Sequence, residues 1–103
     1  MHTVLWTFHM SEEKSNDELR TIINNSAHNY LNIQGLIRKY YGISEDSKSI
    51  VGIYLWKTKE DADKFYTPTW VATVHERWGS APTRLDWETP TVVESENGNI
   101  IST

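Results

Sequence analysis

Residues 49–56 read SIVGIYLW and form a strand candidate that has no polar face. β-Branched and aromatic residues such as these favour a pleated strand. Side chains alternate between the two faces of a strand, so one face would carry valine, isoleucine and leucine, and the other glycine, tyrosine and tryptophan. Strands of small antiparallel sheets usually expose one face to water and alternate apolar with polar residues. We therefore expect both faces of this sheet to be covered.

The length and charge of the chain restrict what can cover the two faces of the sheet. A chain of 103 residues is expected to form a single domain, residues 1–103, with one core. The net charge of -4 at pH 7 and the scattered basic residues argue against binding to nucleic acid or to an anionic membrane. The chain has no cysteine, which excludes disulfides and thiolate metal sites.

No targeting or anchoring segment is expected. The N-terminal residues lack a basic region and a long apolar run, so they do not resemble a signal peptide. No segment approaches the roughly 20 apolar residues of a membrane span. We therefore expect a cytoplasmic protein that does not bind membranes.

The order of the apolar patterns predicts an α+β fold. The candidate strands are residues 3–10, 35–43, 49–56 and 83–89, and the candidate helices are residues 16–31, 57–66 and 69–79. This β-α-β-β-α-β order is the split βαβ or ferredoxin-like arrangement, in which the helices lie on one face of a four-stranded antiparallel sheet. Asn97 and Gly98 give a strong hairpin-turn signal, so we expect an extra C-terminal strand.

Capping residues indicate where the helices begin and end. Each candidate N-cap has a side chain that can accept a hydrogen bond from the first helical turn. Pro68 suits the first turn of the last helix, and Gly79 is expected to end it. The candidate N-caps are Ser15 or Asn16, Thr58 and Thr67.

The helices can cover only one face of the predicted sheet. The opposite face would form a contiguous apolar patch, which soluble monomers rarely expose. A second copy of the same chain, packed sheet to sheet about a two-fold axis, would bury both patches at once. We therefore predict a homodimer in which the C-terminal strands are free to reach across to the partner.

Three segments of the sequence resemble a known family. GLIRKYY, GIYLWKTKEDADKFYTPTW and ERWGSAPTRLDWETPTVVES are similar to the YdhR-type monooxygenases of the dimeric α+β barrel superfamily, which also contains the antibiotic-biosynthesis monooxygenases. The resemblance covers residues 30–95 and, more loosely, the first strand. It implies a ferredoxin-like protomer, a homodimer and a pocket between the sheet and helices of each protomer. Better-characterised relatives oxidise polycyclic phenols with O₂ and without metal, flavin or haem, so the resemblance implies no cofactor.

His75 is the candidate catalytic residue, as proton acceptor or donor. Helical spacing places it within the apolar stripe of Val71, Val74 and Trp78, so it would point toward the pocket. A histidine can transfer protons in either direction near neutral pH. The alternative is a core histidine that bonds to a backbone carbonyl, because buried polar groups generally find partners.

Arg38 and Lys39 lie in the middle of a predicted strand and would point to opposite faces. A cation beside the pocket, for which Lys39 is the candidate, could stabilise a phenolate or a superoxide-like anion. Alternatively the long side chain extends to solvent or pairs with a carboxylate such as Asp86 or Glu88.

A set of mostly aromatic residues is predicted to bind the substrate. An aromatic small molecule would fit a flat apolar cavity, and tyrosine hydroxyls could orient a substrate oxygen. At strand and helix spacing, the same residues could instead form core and interface. The candidates are Trp6, Tyr40, Tyr54, Trp56, Phe65, Trp70, Val71 and Trp78, together with Lys39.

Haem-degrading members of the superfamily provide an alternative role for His75. They carry an iron-binding histidine on the same helix, a tryptophan in the preceding helix and an asparagine on the first strand. In this chain Phe65 lies nearest to the position of that tryptophan, and the Trp6–Thr7 pair lies nearest to the position of that asparagine. Because those two residues differ and a lone histidine is a weak metal signal, we expect no metal or haem site.

The sequence thus predicts a homodimeric, cofactor-independent monooxygenase-like protein that acts on an aromatic or quinonoid small molecule. The same pocket could serve a non-catalytic small-molecule binding or stress-response protein. An isomerase or lyase that works by proton transfer alone is a further alternative. A buried base in the pocket would favour chemistry, and a wholly apolar pocket would favour binding.

Overall fold

The computed structural model describes all residues, 1–103, and has the α+β fold that the sequence predicts. The elements in chain order are β1 (His2–His9), α1 (Asn16–Ala27), a 3-10 turn (His28–Tyr30), β2 (Leu36–Ile43), β3 (Ser49–Trp56), α2 (Lys59–Phe65), α3 (Pro68–Trp78), β4 (Thr83–Glu88), β5 (Thr91–Glu94) and β6 (Asn99–Ser102). Four antiparallel strands form one sheet in the order β2-β3-β1-β4, while β5 and β6 form a separate two-stranded sheet.

Side-chain caps begin all three helices, as predicted. Ser15 accepts a hydrogen bond from the Glu18 amide while the Glu18 carboxylate accepts one from the Ser15 amide, which forms a capping box. Thr58 and Thr67 accept hydrogen bonds from the amides three residues ahead. Gly79 ends α3 at a φ of 82°, a left-handed conformation that favours glycine. None of the helices has the length and apolarity needed to cross a bilayer.

The first helix ends earlier than predicted. α1 stops at Ala27 instead of Leu31, and residues 28–30 tighten into the 3-10 turn through a hydrogen bond from the Leu31 amide to the carbonyl three residues before it. Asn32 then takes a positive φ of 58°, which asparagine tolerates better than most residues. The 3-10 turn places Tyr30 against the aromatic residues of β2 and β3.

One face of the sheet is covered by the helices and carries the core. On this face β1 and β3 contribute their even-numbered residues, and Val4 lies opposite Tyr54 in the strand register. α1 adds Leu19, and α3 adds Val74 and Trp78. Burial of this apolar surface, at about 25 cal/mol per Å², is the main favourable term in folding.

The opposite face of the sheet is apolar and exposed, in agreement with the two-faced pattern of β3. Leu5 lies opposite Ile53 on one side and opposite Leu85 on the other. Tyr40, Leu85 and Trp87 are 55%, 58% and 49% exposed. We call this surface the open face; it is where the sequence predicts a second copy of the chain.

The C-terminal hairpin leaves the main sheet instead of extending it. β5 and β6 pair around a turn at Gly98, whose φ is 67°, so the predicted hairpin turn is confirmed. An ion pair between Arg38 and Glu94 ties the hairpin to the edge strand β2. Arg38 thus pairs with a carboxylate, as the sequence offered as an alternative, but the partner is Glu94 and not Asp86 or Glu88.

Candidate functional site

His75 lies on the exposed side of α3, so the prediction that it points toward the pocket is wrong. The inner side of that helix carries the buried Val74 and Trp78, with Trp70 and Val71 half-buried beside them. At about 3.6 residues per turn, residue 75 falls roughly a quarter turn from the centre of that stripe. This rotation is enough to place the imidazole in solvent, so a proton-transfer role requires another residue.

Lys39 is the predicted site residue with the most unusual surroundings. It lies opposite Tyr54 of β3 and points to the helix-covered face of the sheet. Its Nζ atom lies 3.2 Å from the centre of the Tyr30 ring, 3.9 Å from that of Tyr41 and 4.5 Å from that of Tyr54. The ion pairs of the chain do not include this amine. We call the three rings around it the tyrosine cage.

The tyrosine cage changes the acidity of the amine. Burial, and after it the positive charge of Arg77 on α3, lowers the pKa of Lys39 from 10.5 to about 6. The ring faces oppose this change, because each cation–π contact favours the ammonium form by about 0.5–2 kcal/mol. No carboxylate lies beside the amine to compensate the lost hydration. The lowered pKa increases the share of neutral amine near neutral pH.

A pair of hydroxyl groups lies beside the amine. Ser26 donates its hydroxyl hydrogen to the Ile23 carbonyl at 2.9 Å, so the Tyr41 phenol is the donor in its 3.1 Å contact with Ser26. Burial raises the pKa of Tyr41, and the bond to Ser26 opposes this only in part. Tyr41 therefore remains a neutral phenol, and its oxygen can accept a hydrogen bond from a ligand.

A cleft of about 290 Å³ opens beside the tyrosine cage, between the 3-10 turn and β2. Ala27, Tyr30, Leu36, Lys39 and Tyr41 are among the residues that line it. This volume lies at the lower end of the range for small-molecule sites, about 300–1,000 Å³. The cleft thus suits a compact planar ligand, and it makes the caged amine accessible from the surface.

Two buried polar groups, the Tyr54 hydroxyl and the Trp6 indole N–H, make no hydrogen bond of good geometry. They lie near the Tyr30 and Tyr66 hydroxyls respectively, which are their nearest polar neighbours. Burial raises the pKa of Tyr54 well above its usual value, so the hydroxyl stays protonated. Gly52 makes room for Tyr54, because a Cβ atom at Gly52 would lie 2.9 Å from the Tyr54 ring.

Most of the other predicted binding residues pack against one another. The residues in or against the core are Trp6, Trp56, Phe65, Trp70, Val71 and Trp78. Trp56 is fully buried and donates its indole N–H to the Tyr66 hydroxyl at 3.0 Å. Tyr40 lies on the open face and is 55% exposed, so its predicted place in the sheet–helix pocket is wrong. The strand period explains this, because Tyr40 follows Lys39 directly and must point the other way.

Several residues that shape the site were not among the predicted site residues. Ser26 and Tyr30 come from α1 and the 3-10 turn, and Tyr41 lies two positions after Lys39 on the same strand face. The strand period of two could have joined Tyr41 to Lys39. No sequence signal indicates Arg77, because its charge reaches the site from α3 through tertiary packing.

A second polar cluster joins β1 and β4 to α2 on the helix-covered side. The His2 imidazole lies 2.6 Å from the Asp86 carboxylate. Arg84 binds Asp86 at 2.8 Å and Asp63 at 2.9 Å. The charges in this cluster compensate one another, in contrast to Lys39. No group of three or more His, Cys, Asp or Glu side chains is placed to hold a metal ion.

The fold is similar to that of several solved monooxygenase structures. The monooxygenase ActVA-Orf6 of Streptomyces coelicolor, solved with the ligand Nanaomycin D, superposes with a TM-score of 0.65 and 13% identity, over 89% of this chain and 89% of its own. The cofactor-independent oxygenase SnoaB of Streptomyces nogalater superposes with a TM-score of 0.64 and 15% identity, over 91% of this chain and 97% of its own. A Deinococcus radiodurans protein named as an antibiotic biosynthesis monooxygenase superposes with a TM-score of 0.67 and 10% identity, over 91% of this chain and 97% of its own.

These comparisons establish the fold. No protein-family model matches the chain, and no curated protein matches it. The structural neighbours are antibiotic-biosynthesis-monooxygenase-like proteins, which confirms the predicted ferredoxin-like fold class. At 10% to 15% identity, the likeness extends to the backbone and not to individual site residues.

Proposed function

We propose that this chain is a cofactor-independent oxygenase that acts on an aromatic or quinonoid small molecule in the cleft beside Lys39. The observation that carries the proposal is an amine without an acidic partner, held among aromatic rings at a cleft. Such an amine can remove a phenolic proton, and flat rings suit a planar substrate. The fold supports the proposal, because its neighbours include a cofactor-independent oxygenase.

Proton removal comes first in the proposed reaction, because a phenolate gives an electron to O₂ more readily than a phenol does. Lys39 accepts the phenolic proton and becomes an ammonium ion. The phenolate gives one electron to O₂, which leaves a substrate radical and superoxide, and the ammonium ion stabilises the superoxide charge. The two radicals combine to form a carbon–oxygen bond at a substrate carbon that carries hydrogen, and the Lys39 ammonium returns its proton to the outer oxygen. The oxygen–oxygen bond and a carbon–hydrogen bond then break, so one oxygen atom stays in a product carbonyl and the other leaves as water. The substrate supplies all the electrons that reduce O₂.

Tyr41 positions the substrate in this scheme. The Tyr41 hydroxyl donates its hydrogen to Ser26, so the phenol oxygen is free to accept a hydrogen bond from a substrate hydroxyl. Tyr30 packs a ring face against the Lys39 amine and lines the same cleft. Held by these contacts, the hydroxyl that loses its proton would lie close to the lone pair that takes it.

We further propose that the working form is a YdhR-type homodimer joined through the open face. The contiguous apolar residues of that face favour it, because soluble monomers rarely expose such patches. The C-terminal hairpin also exposes Val93 and Ile100, at 70% and 71%, which a partner is able to cover. Lys39 points to the other face of the sheet, so each protomer keeps its own cleft.

A non-catalytic binding protein is the second candidate function, and the position of the cleft favours it. The cleft lies at the edge strand β2, beside the surface residues Leu31 and Arg38. Reactions that form reactive intermediates generally exclude water, whereas reversible binding does not require closure. In this case the tyrosine cage would hold a ligand that leaves unchanged.

Oxygen uptake distinguishes the two functions. Protein purified with a chelator is mixed with a panel of hydroxyanthrones and hydroquinones in air, beside the matched variants Lys39→Met and Lys57→Met. Lys57 is exposed and lies outside the cleft. We expect uptake with at least one compound, loss of uptake in Lys39→Met and full activity in Lys57→Met. Binding without uptake supports the second function, and equal uptake by wild type and Lys39→Met contradicts the first.

A further inference from the structure

We propose that Lys39 is also a covalent carbonyl-binding site, whose ε-amine captures small aromatic aldehydes and ketones in the cleft as a reversible imine. This inference goes beyond oxygenation, because it requires neither O₂ nor a phenol. It rests on three features of the structure: an amine without an acidic partner, apolar rings on several sides of it, and a cleft through which a ligand reaches it.

Lys39 differs from the other lysines because its Nζ atom lies over aromatic rings. Lys59 is instead paired with Asp63 at 2.8 Å and is 57% exposed. Lys48, Lys57 and Lys64 are also exposed, and Lys14 is half-buried. Attack on a carbonyl needs the nitrogen lone pair, which an ammonium ion lacks, so a lysine whose pKa is lowered by burial is expected to react first.

Few charged or titratable groups face the Lys39 amine. Tyr30 approaches from the 3-10 turn, Tyr41 from the same strand, Tyr54 from β3, and Arg77 from α3. Burial raises the pKa of both Tyr41 and Tyr54, so neither supplies an anion that would hold a proton on the amine. Arg77 is positive and opposes the ammonium form. The amine is therefore a free nucleophile at neutral pH.

The proposed reaction is a condensation that needs no oxidant or reductant. The nitrogen lone pair forms a bond to the carbonyl carbon, and the carbonyl oxygen takes up the proton that leaves the nitrogen, which gives a carbinolamine. The carbon–oxygen bond then breaks and the oxygen leaves as water, which leaves a carbon–nitrogen double bond. Addition of water reverses each step and restores the amine. The Tyr41 ring centre lies 3.9 Å from the Lys39 Nζ atom, and the Tyr41 hydroxyl donates to Ser26, so its oxygen is free to accept a hydrogen bond from the carbinolamine hydroxyl.

The cleft restricts which carbonyl compounds can react. A volume of about 290 Å³ admits a compact aromatic compound. Tyr30 and Tyr41 favour a flat ring that can stack on them, and Leu36 adds an apolar wall. Aromatic aldehydes are therefore expected to react faster at Lys39 than aliphatic aldehydes of the same size.

Reductive trapping tests this proposal on the intact wild-type protein. 4-Hydroxybenzaldehyde and sodium cyanoborohydride are added at pH 7, and the reduced adduct is located by peptide mass spectrometry. Cyanoborohydride gives a hydride to the imine and makes the bond permanent. We expect Lys39 to be modified on the order of 10²-fold faster than the exposed Lys57, because burial lowers the pKa of the Lys39 amine to about 6 and the cleft binds the aldehyde beside it. The rate at Lys39 should saturate with aldehyde concentration, while rates at exposed lysines stay linear.

Two further measurements keep the result decisive. Lys57→Arg should leave the labelling of Lys39 unchanged, and an aliphatic aldehyde of similar size should label it more slowly. Adducts spread over the exposed lysines, with Lys39 unmodified, would overturn the proposal. So would linear, unsaturable labelling of Lys39 at the rate of Lys57. Either outcome leaves the oxygen-uptake result unaffected, so the two proposals fail separately.

Discussion

Replacement of Lys39 by methionine is expected to stabilise the protein. Methionine has a similar length and polarizability, so it can fill the tyrosine cage without a charge and keep contact with the rings. In wild type, folding at pH 7 must release the proton of an amine whose pKa falls from 10.5 to about 6. That release costs at most about 5 kcal/mol. Lys39 remains half-buried and gains cation–π contacts when charged, so we expect a net gain of about 1–3 kcal/mol.

The gain should depend on pH in a defined direction. Because the folded pKa lies below the unfolded pKa, the unfolded chain binds one more proton between about pH 6 and pH 10.5. Wild-type stability should therefore rise with pH across that window. The advantage of Lys39→Met should be largest at and below about pH 6, and should shrink steadily toward pH 10.

Urea and thermal unfolding measure both effects, with Lys57→Met as the matched control at an exposed lysine. A gain of this size should raise Tm by about 5–15 °C for a domain of this length. Lys57→Met should change the free energy of unfolding by less than about 0.5 kcal/mol. If Lys39→Met is less stable than wild type, by an amount independent of pH, then the ring faces hold a stable ammonium ion and the reasoning is refuted.

Three further changes test the packing and the assembly. Gly52→Ala should cost about 1–3 kcal/mol in urea unfolding, since the added Cβ would lie 2.9 Å from the Tyr54 ring. Tyr66→Phe should cost about 1–3 kcal/mol by the same assay, because it leaves the buried Trp56 indole N–H without an acceptor; a neutral result would contradict the role of that bond. Sedimentation equilibrium should give about twice the chain mass of 12.0 kDa for wild type, and Ile53→Asp should abolish the dimer or the fold.

The sequence predicted the fold because each local signal agreed with the others. The caps at Ser15, Thr58 and Thr67 begin the helices in the structure. Alternation in β3 divides that strand between a helix-covered face and the open face. The largest difference in bounds is the end of α1, because a 3-10 turn and a helix continue the same apolar periodicity for one more turn.

The candidate site was less predictable, because it depends on how far side chains reach in space. Periodicity predicted that His75 lies within the apolar stripe of α3, but the buried stripe is centred on Val74 and Trp78, which leaves His75 exposed. Lys39 was predicted as a cation, and strand alternation correctly set it on the face opposite Arg38. Its tyrosine cage comes from separate elements, and the effect of Arg77 on its pKa depends on tertiary packing that no sequence spacing encodes.

The most direct test of the account is the pH dependence of single-turnover oxidation, measured in air for wild type, Lys39→Met and His75→Gln. If Lys39 accepts the phenolic proton, the wild-type rate should rise through about pH 6 and then level off, because the amine must be neutral to act. Lys39→Met should be about 10²- to 10⁴-fold slower at neutral pH and lack this inflection. His75→Gln should follow the wild-type curve. A Lys39→Met enzyme that retains both the wild-type rate and the inflection would contradict the central claim.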